Sequence, residues 1–390
     1  MGSCVARGSR NQVVERERRR LSANGAQPAA EEARAAVAVN AAPAAALPVV
    51  FPVGPEIKVS RPSDEAAGNL LDLFQGGRRG ASVTGALPPD GVQQKGFADK
   101  HTRVGGQSTP ASMKVGFSCK KGLKPESPNQ DDFCAFCSDR VSILGVFDGH
   151  GPYGHDISNF VRDALPRLFV QEPSFQEEPE EALAAAFTMA HERCTEAETE
   201  CHFDCSLSGT TATLAMIRDG CLYLAHVGDS RAVLARKPSS GTELEAEDLT
   251  EDHKPTCEGE RRRIQAAGGQ VRRLAGDLPY RVFLQGKMYP GLAMTRSIGD
   301  TVGVAAGVTC TPDIRSLKVE KDWRFLLLCS DGIWEFISSK EAIEMIGKFP
   351  ASEVQKAVDA LAVEAWNRWI HEEGNVVDDI TVVCAWFNED

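Results

Sequence analysis

The sequence has no secretory hydrophobic region ahead of its cysteines, no excess of basic charge and no zinc-type ligand spacing. Each absence excludes something. Without a secretory segment, the 12 cysteines read as reduced thiols in a protein expected to be cytoplasmic. Lys and Arg number 43 against 55 Asp and Glu, and a net charge of −12 argues against nucleic acid as a partner. Cys134 and Cys137 sit in "DFCAFC", which reads as a strand, so their thiols fall on opposite faces and do not share an ion. Cys201, His202 and Cys205 lack a second ligand pair at zinc spacing. The N-terminal stretch "AAPAAALPVVFPVGP" is too interrupted by proline to span a bilayer.

What is present divides into two parts. Residues 1–111 are rich in Ala, Gly, Pro and Ser without sustained apolar periodicity. They bury too little apolar surface to offset chain entropy, so a mostly disordered extension is expected, with at most a short Ala-rich helix at 29–38. Its start, "MGSCVARGSR" and then "ERERRR", offers Gly2 behind Met1, Cys4, and the basic Arg16, Arg18, Arg19 and Arg20. This approximates a myristoylation pattern, with Ala6 where Ser or Thr is usual. A single acyl chain holds a membrane only marginally; Cys4 or the basic run would supply the second signal. Attachment to the cytosolic face of a membrane through acylated Gly2 and Cys4 is the resulting expectation.

From residue 112 to 390 the pattern is that of one domain. "MKVGFSC", "DFCAFCS" and "VSILGVF" read as strands, and "TTATLAMI", "CLYLAHVGDSRAVLAR", "RFLLLCSDG" and "DDITVVCAWF" as more. "HDISNFVRDALPRLF", "PEEALAAAFTMAHERC" and "SEVQKAVDALAVEAWNRWI" have helical spacing, and "GERRRIQAAGG" is a short helix closed by Gly268 or Gly269. Strand clusters with a few long helices predict an α+β fold, antiparallel sheets covered by helices.

Carboxylates recur at the strand ends. Asp148 ends "ILGVF" and Asp331 follows "FLLLC", while Asp131 and Asp132 open one strand and Asp378 and Asp379 another. Asp229 marks the tip of "AHVGDSRAV", read as a hairpin. In antiparallel sheets the start of one strand lies beside the end of its neighbour, so these aspartates are expected on a common rim. So many carboxylates repel unless cations neutralise them, and an all-oxygen donor set suits Mg²⁺ or Mn²⁺.

The stretches "NQDD", "GVFDGHGPYGH", "SGTTAT", "AHVGDSRAVL", "EDHKP", "RRRIQAAGGQV", "GLAMTRSIGD", "CSDGIWE" and "DDIT" stand in this order over residues 112–388. Together they resemble the metal-dependent serine/threonine protein phosphatases of the 2C type. The resemblance implies a central β-sandwich of two antiparallel sheets flanked by helix pairs. It implies that Asp148 bridges two metal ions and that Gly149 offers a carbonyl to one. Asp331 and Asp378 would complete the first ion's ligands and Asp131 would serve the second, with Asp229, Asp331 and Glu335 holding a weaker third. The implied reaction is attack of a metal-activated hydroxide on phosphoserine or phosphothreonine of a protein substrate, with His150 as general acid to the leaving oxygen. A monomer is expected.

Three departures qualify this. Where many relatives carry a phosphate-contacting Arg, this chain has Glu126, and Lys124 is the nearest substitute. Gln130 replaces the usual Glu, and Glu335 the usual Asp, which predicts a weaker third ion. Glu126 and Gln130 support a second reading, an inactive relative acting as a membrane-anchored scaffold; the full set of Asp148, Asp331, Asp378 and His150 opposes it. Residues 271–290 are expected to form a flap beside the site, with Leu274 where hormone-regulated plant relatives place a receptor-contacting Trp.

Overall fold

The computed structural model describes residues 80–85, 96–100, 102–105, 108–124, 128–201, 203–239, 243–275 and 279–387. Gly2, Cys4, the basic run, the Ala-rich stretch at 29–38, His202 and Glu126 lie outside these residues.

The chain opens with β1 (Gly80–Gly85), β2 (Thr102–Gly105), β3 (Val115–Lys120), β4 (Asp131–Ser138) and β5 (Val141–His150), then α1 (Gly154–Gln171) and α2 (Pro179–Cys201). Strands β6 (Gly209–Thr210), β7 (Ala212–Arg218), β8 (Cys221–Val227), β9 (Arg231–Arg236) and β10 (Glu245–Asp248) precede α3 (Glu258–Ala266). Short strands β11 (Gln270–Arg272), β12 (Arg281–Phe283), β13 (Pro290–Leu292) and β14 (Ile298–Gly299) lead into α4 (Thr301–Val304). The chain then runs through β15 (Asp313–Lys318), β16 (Trp323–Cys329), α5 (Asp331–Trp334), α6 (Ser339–Ile346), α7 (Val354–Glu373) and β17 (Ile380–Trp386). No helix among the described residues is long and apolar enough to cross a membrane.

Two antiparallel sheets face each other, one ordered β15-β8-β7-β5-β4-β1-β2 and the other β10-β9-β16-β17-β3. Phe133, Leu144, Val146, Leu224 and Leu234, with Trp323, Leu326, Leu328 and Val383, fill the space between them. Alternate residues of the same strands turn outward. Ile143 and Phe147 pack under α1 and α2 with Ile157, Leu165 and Phe187. On the other side Phe325, Leu327 and Val382 pack under α6 and α7 with Ile343, Leu361 and Trp369. Being buried on both faces is why these strands read as nearly continuous apolar runs instead of alternating ones. Cys134 accordingly joins the helix-side core and Cys137 the inter-sheet core.

The fold begins earlier than residue 112. β1 extends the first sheet by pairing with β4 from Gly80↔Ser138 to Thr84↔Cys134, burying Ala81 and Val83. Lys100, fully buried, meets Asp132 at 3.1 Å, and Arg162 meets the same carboxylate at 2.8 Å. "GASVTG" has too few apolar residues to register as a strand alone; its partner strand and this ion network hold it.

Candidate active site

Register creates the rim. In the β4–β5 ladder Asp131 lies directly across from Asp148. In the other sheet Cys329 pairs with Val382, which brings Asp331, at the start of α5, to the end where Asp378 precedes β17. Ser330 ties the sheets together: its Oγ donates to Asp131 Oδ2 at 2.7 Å and accepts from the Thr381 N–H at 3.0 Å.

Asp229 arrives by a different route from the one its sequence suggests. β8 belongs to the first sheet and β9 to the second, so Gly228–Asp229–Ser230 is a corner between sheets, not a hairpin tip. Gly228, at φ 97°, makes the turn; its N–H donates to His253 Nδ1 at 3.0 Å. With Nδ1 accepting, His253 Nε2 carries the proton and donates to Asp313 at 3.2 Å. His226 stacks on His253 with centroids 4.4 Å apart and planes within 8°. His226, His253 and Asp313 are close enough to suggest a cation site. Parallel rings cannot both aim in-plane lone pairs at one ion, and His253 has none to spare, so the trio is a brace behind the corner.

The rim electrostatics follow from crowding. Burial pushes the Asp131 carboxyl up to about 7, with Asp379 adding to it. Asp148 rises well above the carboxylate range through burial and then Asp331, Asp131, Asp378 and Asp229. Asp331 rises for the same reasons, opposed by Lys254 and Lys124. Asp229 is 2% exposed; Oδ2 accepts from Lys254 at 2.7 Å, whereas Oδ1 is buried without a partner. A Cβ on Gly149 would lie 2.2 Å from the Gly154 carbonyl and 2.6 Å from that of Gln130, so only glycine fits there. Clustered all-oxygen donors that resist ionising together, one of them orphaned, fit divalent cations.

The remaining residues divide by what they touch. Asp379 is buried and accepts from the Gly122 N–H at 2.7 Å and the Gln130 N–H at 2.8 Å; it stitches strands and leaves Asp378 to the rim. Gln130 donates to the Gly151 carbonyl at 2.7 Å. Lys124 pairs with Asp378. Glu335 is exposed one turn past Asp331, to whose carbonyl its N–H donates at 3.0 Å.

His150 has a partner that the sequence did not announce. Its Nε2 lies 2.6 Å from Asp300 Oδ2, which also accepts from Ser297 Oγ at 2.5 Å, while Nδ1 is buried without a partner. Burial alone would depress this imidazole, but Asp300 outweighs it and the net shift is upward. Asp300 is fully buried in the left-handed region at φ 49°, 150 residues from His150. The quoted "TRSIGD" was the only signal for it.

A family profile described as protein phosphatase 2C matches residues 117–372. The chain belongs to the protein phosphatase 2C family. It is a serine/threonine protein phosphatase. An Arabidopsis thaliana relative named "Probable protein phosphatase 2C 35" is 33% identical over 68% of this chain and 81% of its own. Another from the same plant, "Probable protein phosphatase 2C 34", is 37% identical over 65% and 74%. Among solved structures, a serine-threonine phosphatase 2C from Toxoplasma gondii superposes with a TM-score of 0.63 at 22% identity, covering 70% of this chain and 94% of that one. A C. elegans sex determining protein gives 0.57 at 24% identity, covering 70% and 65%. Both share the fold of this phosphatase, and the family is metal-dependent in general.

Proposed function

We propose that this phosphatase hydrolyses phosphoserine and phosphothreonine in proteins at a binuclear Mg²⁺ or Mn²⁺ centre. The carrying observation is the in-register pair Asp131↔Asp148 facing Asp331, with carboxyls raised by burial and mutual repulsion. Asp131, Asp148, Asp331, Asp378 and the Gly149 carbonyl would hold the two ions. When bound, such ions activate water and neutralise phosphoryl oxygens. The protein supplies the rest. Asp300 raises the His150 pKa and aims the ring, and His150 would deliver a proton to the departing serine or threonine oxygen. The test is phosphothreonine-peptide hydrolysis in Mn²⁺ against EDTA; equal background rates would favour the scaffold reading.

Lys124 stands where the missing Arg leaves a need, within reach of the rim through Asp378. As a phosphate contact, one charge-assisted hydrogen bond is worth roughly 1.5 kcal/mol, or about tenfold. Lys124→Ala is therefore expected to raise the peptide KM about tenfold with a smaller change in kcat; an unchanged KM would remove Lys124 from substrate binding.

Glu335, with Asp229 and Asp331, would hold a third ion. An exposed, longer carboxylate fixes Mg²⁺ poorly, because that ion demands near-ideal geometry. Glu335→Asp should shift the high-concentration phase of a metal titration of turnover to lower metal. Superimposable curves for the two proteins would contradict the assignment.

A further inference from the structure

The small third sheet, β11–β12–β13, covers the segment expected from the sequence to form a flap, and it combines exposed apolar side chains with basic charge. Two large apolar side chains stand exposed on it, Met288 at 62% and Tyr280 at 39%. Residues 270–292 carry four cations and one anion, a local excess of basic charge in a chain of net −12. Among the described residues no carboxylate pairs with Arg272, Arg273 or Lys287. They lie instead over aromatic rings: Arg272 4.6 Å from Phe283, Arg273 5.9 Å from Tyr280, Lys287 5.8 Å from Tyr289. Arg272 also donates to the Lys287 carbonyl at 2.6 Å, whereas the stacking of the exposed Arg273 leaves its guanidinium edge able to take a carboxylate.

The sheet is rooted beside His150. Tyr289 is buried with Val302 and packs against Leu207 and Leu284. The Leu207 carbonyl approaches Gly151 so closely that a Cβ there would sit 2.3 Å from it, and Gly151 directly follows His150. Val302 follows the Asp300 that holds His150 by two residues. Arg263 of α3 fixes the other root by donating to the Thr295 carbonyl at 2.9 Å.

We propose that this sheet docks acidic residues flanking the phosphorylated side chain of a protein substrate. Arg273 and Lys287 meet the carboxylates, and Tyr280 and Met288 meet intervening apolar side chains. The proposal rests on the phosphatase reading above and adds a substrate class to it. Exposed ion pairs are individually weak, so several are needed for a preference of about tenfold, and salt erodes it.

The experiment compares phosphothreonine peptides with acidic or basic flanks. Binding of non-hydrolysable phosphonate versions is read by fluorescence anisotropy at low and high salt, and turnover of the phosphate versions as kcat/KM. Wild type is expected to bind the acidic peptide about tenfold tighter at low salt, with the gap closing at high salt. Arg273→Glu/Lys287→Glu, at two exposed positions, should abolish or reverse that order and leave para-nitrophenyl phosphate turnover unchanged. No preference in wild type overturns the proposal. So does a preference that survives the double variant, or anionic vesicles binding where acidic peptides do not. Failure to hydrolyse any peptide would count against the catalytic reading, while anisotropy still decides the docking surface.

Discussion

Asp148→Asn is expected to abolish phosphothreonine-peptide hydrolysis and, in the same protein, to raise the melting temperature measured in EDTA. The first effect follows from removing a carboxylate proposed to hold the cations, whose Lewis-acid contribution would be several kcal/mol, so the expected loss is on the order of 10³-fold or more. The second follows from the sign of the shift. Asp148 has a folded pKa raised well above its ordinary value of 3.8, by burial first and then by Asp331 and Asp131. Below the unfolded pKa there is no penalty. As pH rises the unfolded chain ionises readily and the folded chain does not, so the metal-free fold loses stability. For Asp131, pushed up to about 7, the loss accumulates between about pH 4 and 7. For Asp131 alone, a shift of that size corresponds to roughly 2–4 kcal/mol at neutral pH. Asp148→Asn removes the same kind of strain, so its melting temperature in EDTA should lie above that of wild type, and saturating Mg²⁺ should stabilise wild type far more than the variant. A lower melting temperature for the variant in EDTA would show that the rim is not electrostatically strained.

The second large effect belongs to Asp300. In the proposed reaction His150 carries a proton to the leaving oxygen, and Asp300 is what raises its pKa against the depressing effect of burial. Asp300→Asn should move the basic limb of the pH–kcat profile to lower pH, so that activity is lost at neutral and alkaline pH and largely kept on the acid side. His150→Ala should lower peptide turnover by roughly 10²–10⁴. Both variants should hydrolyse para-nitrophenyl phosphate nearly normally, because nitrophenolate leaves without a proton. Equal losses on peptide and nitrophenyl substrates would assign the pair to holding the site together, not to acid catalysis.

The rim itself was legible because two rules sufficed. Apolar strands bounded by Asp, paired antiparallel, must gather those carboxylates at one end, and Asp131↔Asp148 is that rule realised. Asp300 was not legible, since its importance comes from a left-handed backbone turn that delivers it to a residue 150 positions away. The β8–β9 corner misread as a hairpin for a related reason. Two strands joined by Gly-Asp-Ser look alike whether they pair with each other or part into facing sheets, and only the neighbours decide. β1 escaped notice because its stability is lent by β4 and by the buried Lys100–Asp132–Arg162 cluster.

The central claim is that the clustered aspartates are a metal-holding catalytic rim. Calorimetric titration of Mn²⁺ into EDTA-stripped protein, with phosphothreonine-peptide turnover followed on the same samples, tests it most directly. Wild type is predicted to bind at least two ions, with turnover rising as they bind, and Asp148→Asn to lose both binding and turnover. Wild-type turnover that is as fast in EDTA as in Mn²⁺, or Asp148→Asn turnover at the wild-type rate, would contradict it.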